Sequence, residues 1–294
     1  MGLGERAPPT IFILGRCAAA ILETRDAFYG ILPASKDVRI EALAHFEAAS
    51  FRNASGAFIA MVVENCHQLT TLNLAHCRAL TALPESLCDC LALARMKVSF
   101  CPRLAARPKR IGDCAAISTL NMSNCDRLTT LPEQLGDCAA LTALTLAQCF
   151  GITVLSERPG DYTTLTTLIL SLCSLRQLPE RLGDCTALTT PVLISCRGLT
   201  VLSERIGDCV GDCAVLRTLK LSYLRNLTAL PERLGDCAAL ATLGLFNCDS
   251  LTALPERLGD CTALVRLNLN GCRGLPIHLE VAERIKARDC MVMR

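Results

Sequence analysis

Apolar positions along this chain return in one phrase every 24 residues. Residues 251–274 read LTALPERLGDCTALVRLNLNGCRG and residues 227–250 read LTALPERLGDCAALATLGLFNCDS. Further copies begin at Leu80, Leu104, Leu128, Ile152, Leu175 and Leu199, and a divergent first copy starts near Gly56. A unit this short cannot bury its own apolar face, so successive copies must stack into a solenoid of similar layers.

Within one copy, Leu264-Val-Arg-Leu267-Asn-Leu269 alternates apolar and polar residues, the period of a short, half-buried strand. Leu267 and Leu269 point inward; Arg266, Asn268 and Asn270 point outward. Because each strand recurs one copy later in the same direction, the strands form a parallel sheet. Cys272 stands at the corner after the strand, where its thiol can contact backbone across the turn. The return segment carries Leu251 and Leu254, then Pro255-Glu-Arg-Leu-Gly259, which predicts one helical or 3₁₀ turn with Pro in the first helical position and Gly at a left-handed exit. Asp260 is placed to cap the N–H groups of the turn that follows, and the eight full copies repeat it as Asp89, Asp113, Asp137, Asp161, Asp184, Asp212, Asp236 and Asp260.

The phrase LxxLxLxxCxxLxxLPxxLG resembles the leucine-rich repeat, in its 24-residue form with Cys at the corner and Leu-Pro in the return segment. That form is similar to repeat regions of plant-type intracellular immune receptors. The match covers residues 56–274, about three-quarters of the chain. The resemblance implies an α/β fold: a curved, right-handed solenoid with the parallel sheet on its concave face and short helical or 3₁₀ turns on its convex face. No GxxxxGK[ST] loop of the nucleotide-binding kind accompanies it.

Such an array needs covered ends. Residues 1–55 lack the repeat and predict two helices, over 10–29 and 37–52, as an N-terminal cap or docking segment. Residues 275–294 form the C-terminal cap, with a helix over 276–288 that presents Ile277, Val281 and Ile285 on one face, then a final strand from Cys290 to Met293. Several copies break the rule. Arg107 and Pro159 replace core Leu, and Tyr162 and Leu224 replace column cysteines. The phrase at 207–213 is duplicated. Pro191 stands at an inward strand position and removes a ladder donor, so the sheet is expected to be weakest near Val192.

Composition narrows the function more than the fold. Net charge is +2 with 20% charged residues, which recruits neither nucleic acid nor a membrane surface. Twenty cysteines fall mostly into two columns, Cys66 to Cys261 in the return segment and Cys77 to Cys272 at the corner. They read as reduced packing residues of a cytoplasmic protein. The four histidines show no HExxH or nucleophile spacing, and Cys88-Asp-Cys90 and Cys209–Cys213 lack a second ligand pair for zinc. No enzyme, cofactor or metal site is expected.

The outward strand positions carry no Asp or Glu in nine layers but five basic residues: Arg95, Lys97, Arg217, Lys220 and Arg266. Ile169, Leu172, Val192 and Ile194 make the middle layers apolar, and Phe100, Tyr223 and Phe246 flank them. An apolar centre with aromatic and basic neighbours has the anatomy of a protein-binding surface. The expected function is therefore a non-enzymatic scaffold that binds a protein or peptide with acidic and apolar groups. The alternatives are a sensor or substrate-recruiting subunit of an immune-receptor or ubiquitin-ligase assembly, and a structural spacer.

Overall fold

The computed structural model describes residues 11–14, 20–23, 48–51, 54–105, 111–131, 135, 137–155, 163–180, 182, 185–207, 216–276 and 280–294. The chain divides into two compact units, residues 1–128 with 137–141, and residues 129–136 with 142–294.

The first unit contains β1 (Ile11–Leu14), β2 (Ala20–Glu23), β3 (Ala48–Phe51), α1 (Gly56–Asn65), β4 (Thr71–Asn73), β5 (Arg95–Ser99) and β6 (Thr119–Ser123). Its strands follow the order β6-β5-β4-β3-β1-β2. From β3 to β6 they are parallel, and equivalent residues stand opposite one another, as in Thr71, Arg95 and Thr119. The two helices expected at the N-terminus are corrected. Strands β1 and β2 occupy the described part of the first, and β3 replaces the end of the second. The run Ile11-Phe-Ile-Leu is rich in β-branched and aromatic residues. Residues Ala49 and Phe51 alternate inward, with Ala49 opposite Leu72 of the first regular layer. Sheet pairing to that layer outweighs the helical spacing of the apolar residues. Helix α1 begins the divergent first copy, where Ser55 caps it by accepting from the Phe58 N–H at 3.2 Å. Its Ile59, Val62 and Val63 are buried.

The second unit contains β7 (Ala143–Ala147), β8 (Thr167–Ser171), β9 (Thr190–Ile194), β10 (Thr218–Ser222), β11 (Thr242–Gly244), β12 (Arg266–Asn268), α2 (Glu280–Lys286) and β13 (Met291–Met293), with the strands in sequential order. All pairings between these strands are parallel. Val281 and Ile285 of α2 are buried as their spacing predicts, and Met291 to Met293 pair with Arg266 to Asn268. Ile277 lies outside the described residues, as do Arg107, Pro159, Tyr162, the duplicated phrase beyond Gly207, and Asp161, Asp184 and Asp212.

Hydrogen bonds between layers explain most columns. The corner thiols donate to a carbonyl one layer back: Cys101 to Leu74 at 3.2 Å, Cys248 to Leu221 at 3.0 Å and Cys272 to Leu245 at 2.7 Å. Thr142, Thr166 and Thr189, each just before a strand, make another ladder, in which the Thr166 and Thr189 hydroxyls donate to the preceding carbonyl at 3.1 Å. In the return segment the Thr228 N–H and hydroxyl both donate to the Thr200 carbonyl. These contacts satisfy backbone groups that a single layer would leave buried and unpaired.

The expected roles within the 3₁₀ turns change. Pro231 and Pro255 precede the turns Glu232–Asp236 and Glu256–Asp260 as N-caps, and their carbonyls accept the Leu234 and Leu258 N–H groups at 3.1 Å. Gly235 and Gly259 are not left-handed. A Cβ on Gly235 would overlap the Arg257 backbone of the next layer, and one on Gly259 would lie 2.8 Å from the Arg284 guanidinium. Glycine is there to let layers approach. The Asp236 carboxylate pairs with Arg257, and Asp260 with Arg284, both at 2.5 Å, in place of the expected capping role. The Glu232 carboxylate instead accepts the Glu256 and Arg257 N–H groups at 3.4 Å, helped by the partial positive charge of a helical N-terminus.

At Pro191 the sheet is continuous toward β8, where pairs run from Thr190 opposite Thr167 through Pro191 opposite Leu168. Toward β10, pairing begins two residues later, at Val192 opposite Lys220. The missing proline donor falls on that side. Pro191→Leu should restore one ladder bond and raise unfolding free energy by about 1 kcal/mol. Gly235→Ala should lower it by about 1–3 kcal/mol through overlap. Urea denaturation of the full chain measures both; an unchanged midpoint for Gly235→Ala would remove the steric role of this column.

All described cysteines are buried and form no disulfide. Burial pushes Cys66, Cys101 and Cys125 from 9.0 up to about 12, and Cys90 and Cys138 up to about 11. The folded state thus favours the protonated thiol. Its contribution is full below pH 9, the unfolded value, and is lost as pH rises through 11 to 12. Stability should fall across that window, and iodoacetamide at pH 8 should label these thiols only after denaturant is added. Rapid labelling of Cys101 in the folded chain would contradict this placement.

Candidate interaction surface

Outward residues of the second unit form cross-strand rows because the parallel register aligns equivalent positions. One row contains Thr145, Ile169, Val192, Lys220, Gly244 and Asn268. The next contains Ala147, Ser171, Ile194 and Ser222. Ile169 and Val192 are direct neighbours, and Ile194 lies on the same face two residues beyond Val192, so three apolar side chains share a small area. All three are half-buried. They are not needed to fill the core, which is occupied by Leu168, Leu170, Leu193, Leu219 and Leu221 on the opposite face.

Lys220 is exposed and stands beside Val192. Its other neighbour, Gly244, has no side chain, and a Cβ there would touch the Lys220 Cγ at 4.0 Å. This leaves a notch in the row. Arg217 precedes β10 and Arg266 opens β12; both are exposed. No Asp or Glu occupies an outward position of β7 to β12. Thr190 donates its hydroxyl to the Thr189 hydroxyl at 3.4 Å.

A further row was not legible as such in the sequence. The residue just before each corner position adopts the left-handed conformation: Gln148, Leu172, Ser195, Tyr223 and Asn247, with φ between 54° and 58°. This turn keeps its N–H in the ladder, with Leu172 donating to Ile194 at 2.8 Å, Ser195 to Ser222 at 2.9 Å and Tyr223 to Phe246 at 2.7 Å. It also lifts the side chain toward the rim of the sheet. There the Tyr223 and Phe246 rings meet edge to face, 5.2 Å between centroids, with Tyr223 exposed and Phe246 half-buried. The signal available in the sequence was position alone, one residue before the column Cys.

The first unit carries the remaining expected residues. Arg95 and Lys97 are exposed on β5, opposite Thr119 and Asn121 of β6. Phe100, left-handed at φ 56°, stacks on His76, which holds the same position one layer earlier, at 4.5 Å and nearly parallel. Ser99, although at an outward position, is only 2% exposed. The Ser123 hydroxyl donates to the Asn121 side-chain oxygen at 2.7 Å. The expected patch therefore consists of two groups: Arg95, Lys97 and Phe100 in one unit, and Ile169, Leu172, Val192, Ile194, Arg217, Lys220, Tyr223, Phe246 and Arg266 in the other.

Among the described residues, no three His, Cys, Asp or Glu side chains converge to hold a metal, and no helix is long and apolar enough to cross a membrane. His67 is exposed, and His76 is engaged with Phe100.

No protein-family model and no curated protein matches this chain. Solved structures do. The leucine-rich repeat domain of the type III effector XopL is similar at 22% identity, over 72% of this chain and 72% of that one, with a TM-score of 0.61. A chain of the Toll–Spatzle complex of Drosophila is similar at 19% identity and a TM-score of 0.64, over 87% of this chain but 33% of that one. This protein thus spans a third of the length of that larger chain. At these identities the likeness is one of fold, and together with the layered parallel strands it gives the chain the α/β leucine-rich-repeat fold that LxxLxLxxCxxLxxLPxxLG implies.

Proposed function

We propose that the protein is a non-enzymatic interaction scaffold that takes a protein partner on the strand face of its second unit. The carrying observation is the cluster of Ile169, Val192 and Ile194 on the face turned away from the core, beside exposed Lys220. Apolar outward residues contribute nothing to the buried core, whereas a partner that covers them removes them from water at about 25 cal/mol per Å². Tyr223 and Phe246 supply rigid aromatic area at one margin, and Arg217, Lys220 and Arg266 favour a partner with acidic groups. Leu172 extends the apolar cluster along the rim. Arg95, Lys97 and Phe100 offer a basic and aromatic group of the same kind on the first unit.

The mechanism is recognition by a rigid surface. The strands are held through ladders on both sides, so outward side chains can vary without disturbing the core, and little backbone movement accompanies binding. The similarity to a chain of the Toll–Spatzle complex supports a protein partner for a chain of this fold. Unbridged, buried cysteines and the resemblance of the Cys-corner repeat to plant-type intracellular immune receptors support a cytoplasmic location.

The test is cross-linking and mass spectrometry from the native cell with the full chain, compared with Ile194→Asp and Lys220→Glu. Both residues point outward, so the variants should melt like the parent chain. Each should weaken the captured partner by about tenfold or more. Equal capture by all three proteins would remove this face from the reading and favour a structural spacer.

A further inference from the structure

One thiol stands outside both cysteine columns in the described part of the array. Cys88, in the sequence Leu87-Cys-Asp-Cys90, occupies the position held by Gly235 and Gly259 in the Leu-Gly-Asp-Cys phrase of later copies. At that position in the second unit, a Cβ is aimed at the following layer: on Gly235 it would overlap the Arg257 backbone. The chain has placed a side chain where its other copies leave none, and that side chain ends on another sulfur. The Cys88 and Cys114 Sγ atoms lie 2.8 Å apart, with Cys114 as donor. The two residues belong to successive layers of the first unit and are 2% and 3% exposed. This separation is longer than the ~2.05 Å of a disulfide but inside the ordinary contact of two sulfurs.

Two corner pairs, Cys173 with Cys196 and Cys248 with Cys272, also bring thiols of successive layers together, but each of those four thiols donates to a carbonyl one layer back, at 3.6, 3.6, 3.0 and 2.7 Å. Cys90 donates to the Val63 carbonyl at 3.4 Å, and Cys138 to the Ile111 carbonyl at 3.1 Å. Each is committed to backbone one layer back, as its column position requires. Cys114 is a column cysteine whose thiol turns to Cys88. The pair is thus an exception to the packing rule at both ends, and no described cluster of ligands makes it a metal site.

We propose that Cys88 and Cys114 are an oxidation site, a thiol pair that closes to a disulfide under peroxide and covalently joins two successive layers of the first unit. The S–H of Cys114 points at Cys88, so it stabilises negative charge there and makes Cys88 the first nucleophile. The Cys88 thiolate, its proton lost to solvent, attacks one oxygen of hydrogen peroxide; the O–O bond breaks, leaving a Cys88 sulfenic acid and a hydroxide that takes up a proton to become water. The Cys114 sulfur then attacks the sulfenyl sulfur. The S–S bond forms, the S–O bond breaks, and the departing hydroxide takes the Cys114 proton as a second water. Two electrons leave the two sulfurs and reduce one peroxide. Burial keeps other oxidants and bulky alkylating agents away, while the neighbouring thiol outcompetes further oxidation of the sulfenic acid. Thiol reductants reverse the link.

The experiment treats the reduced full-length chain with hydrogen peroxide under native conditions, blocks remaining thiols in denaturant, and maps links by mass spectrometry after cleavage before aspartate. Cleavage before Asp89 separates Cys88 from Cys90. The expected result is a Cys88–Cys114 link, reversed by dithiothreitol and absent from Cys88→Gly, which restores the residue of the other copies. Oxidation should raise the unfolding temperature of the parent chain by about 5 °C and leave that of Cys88→Gly unchanged. Cys114→Ala, read by the same mapping, should show Cys88 as sulfenic or sulfinic acid without a link. Links that join Cys88 to Cys90 or Cys138, or native protein that forms no link while its denatured form does, would overturn the proposal.

Discussion

No layer of this protein can satisfy its own backbone. A chain that turns a corner with its carbonyls buried must find donors elsewhere, and here they come from the neighbouring layer: N–H groups of the strands, a thiol at the corner, a threonine hydroxyl before the strand. Burial of leucine supplies the driving force, but these bonds fix the register, since a slip of one residue would put leucine outside and leave several carbonyls unpaired. The outward rows follow from that register. Ile169, Val192 and Lys220 are neighbours because Leu168, Pro191 and Leu219 are inward in their respective strands.

The same constraint separates what was legible in the sequence from what was not. Repetition made the strands, the corner cysteines and the direction of pairing plain, because each was stated many times over. The functions of Gly235 and Asp236 were not plain, since read within one copy they suggest a helix exit and a local cap, and Glu232 suggests no partner within its own copy. Their partners, Arg257 and the N–H groups of Glu256 and Arg257, belong to the following copy. The N-terminal segment was misread for a related reason. Ala49 and Phe51 have little strand signal alone, and their pairing to Leu72 and its neighbours decides the conformation.

Of the interaction surface, the sequence supplied the chemistry and the register supplied the grouping. Arg95, Lys97, Lys220 and Arg266 are exposed and Ile169, Val192 and Ile194 half-buried, yet not every outward position is available: Ser99 is covered, and Ser123 and Thr190 spend their hydroxyls locally. Hydroxyl count along a strand therefore overstates hydrogen-bonding capacity toward a ligand. Large apolar and cationic side chains are better guides, because little within the layer competes for them.

The left-handed residue before each corner limits what evolution can place along that rim. Branching at Cβ clashes with the backbone at positive φ, so Val, Ile and Thr are penalised there by about 1–3 kcal/mol. The occupants are His76, Phe100, Asn124, Gln148, Leu172, Ser195, Tyr223, Asn247 and Gly271, and none is branched at that carbon. One margin of each unit thus diversifies through a restricted alphabet of residues unbranched at Cβ, here amides, aromatics, leucine and small residues, while the strand rows beside it draw on the whole set.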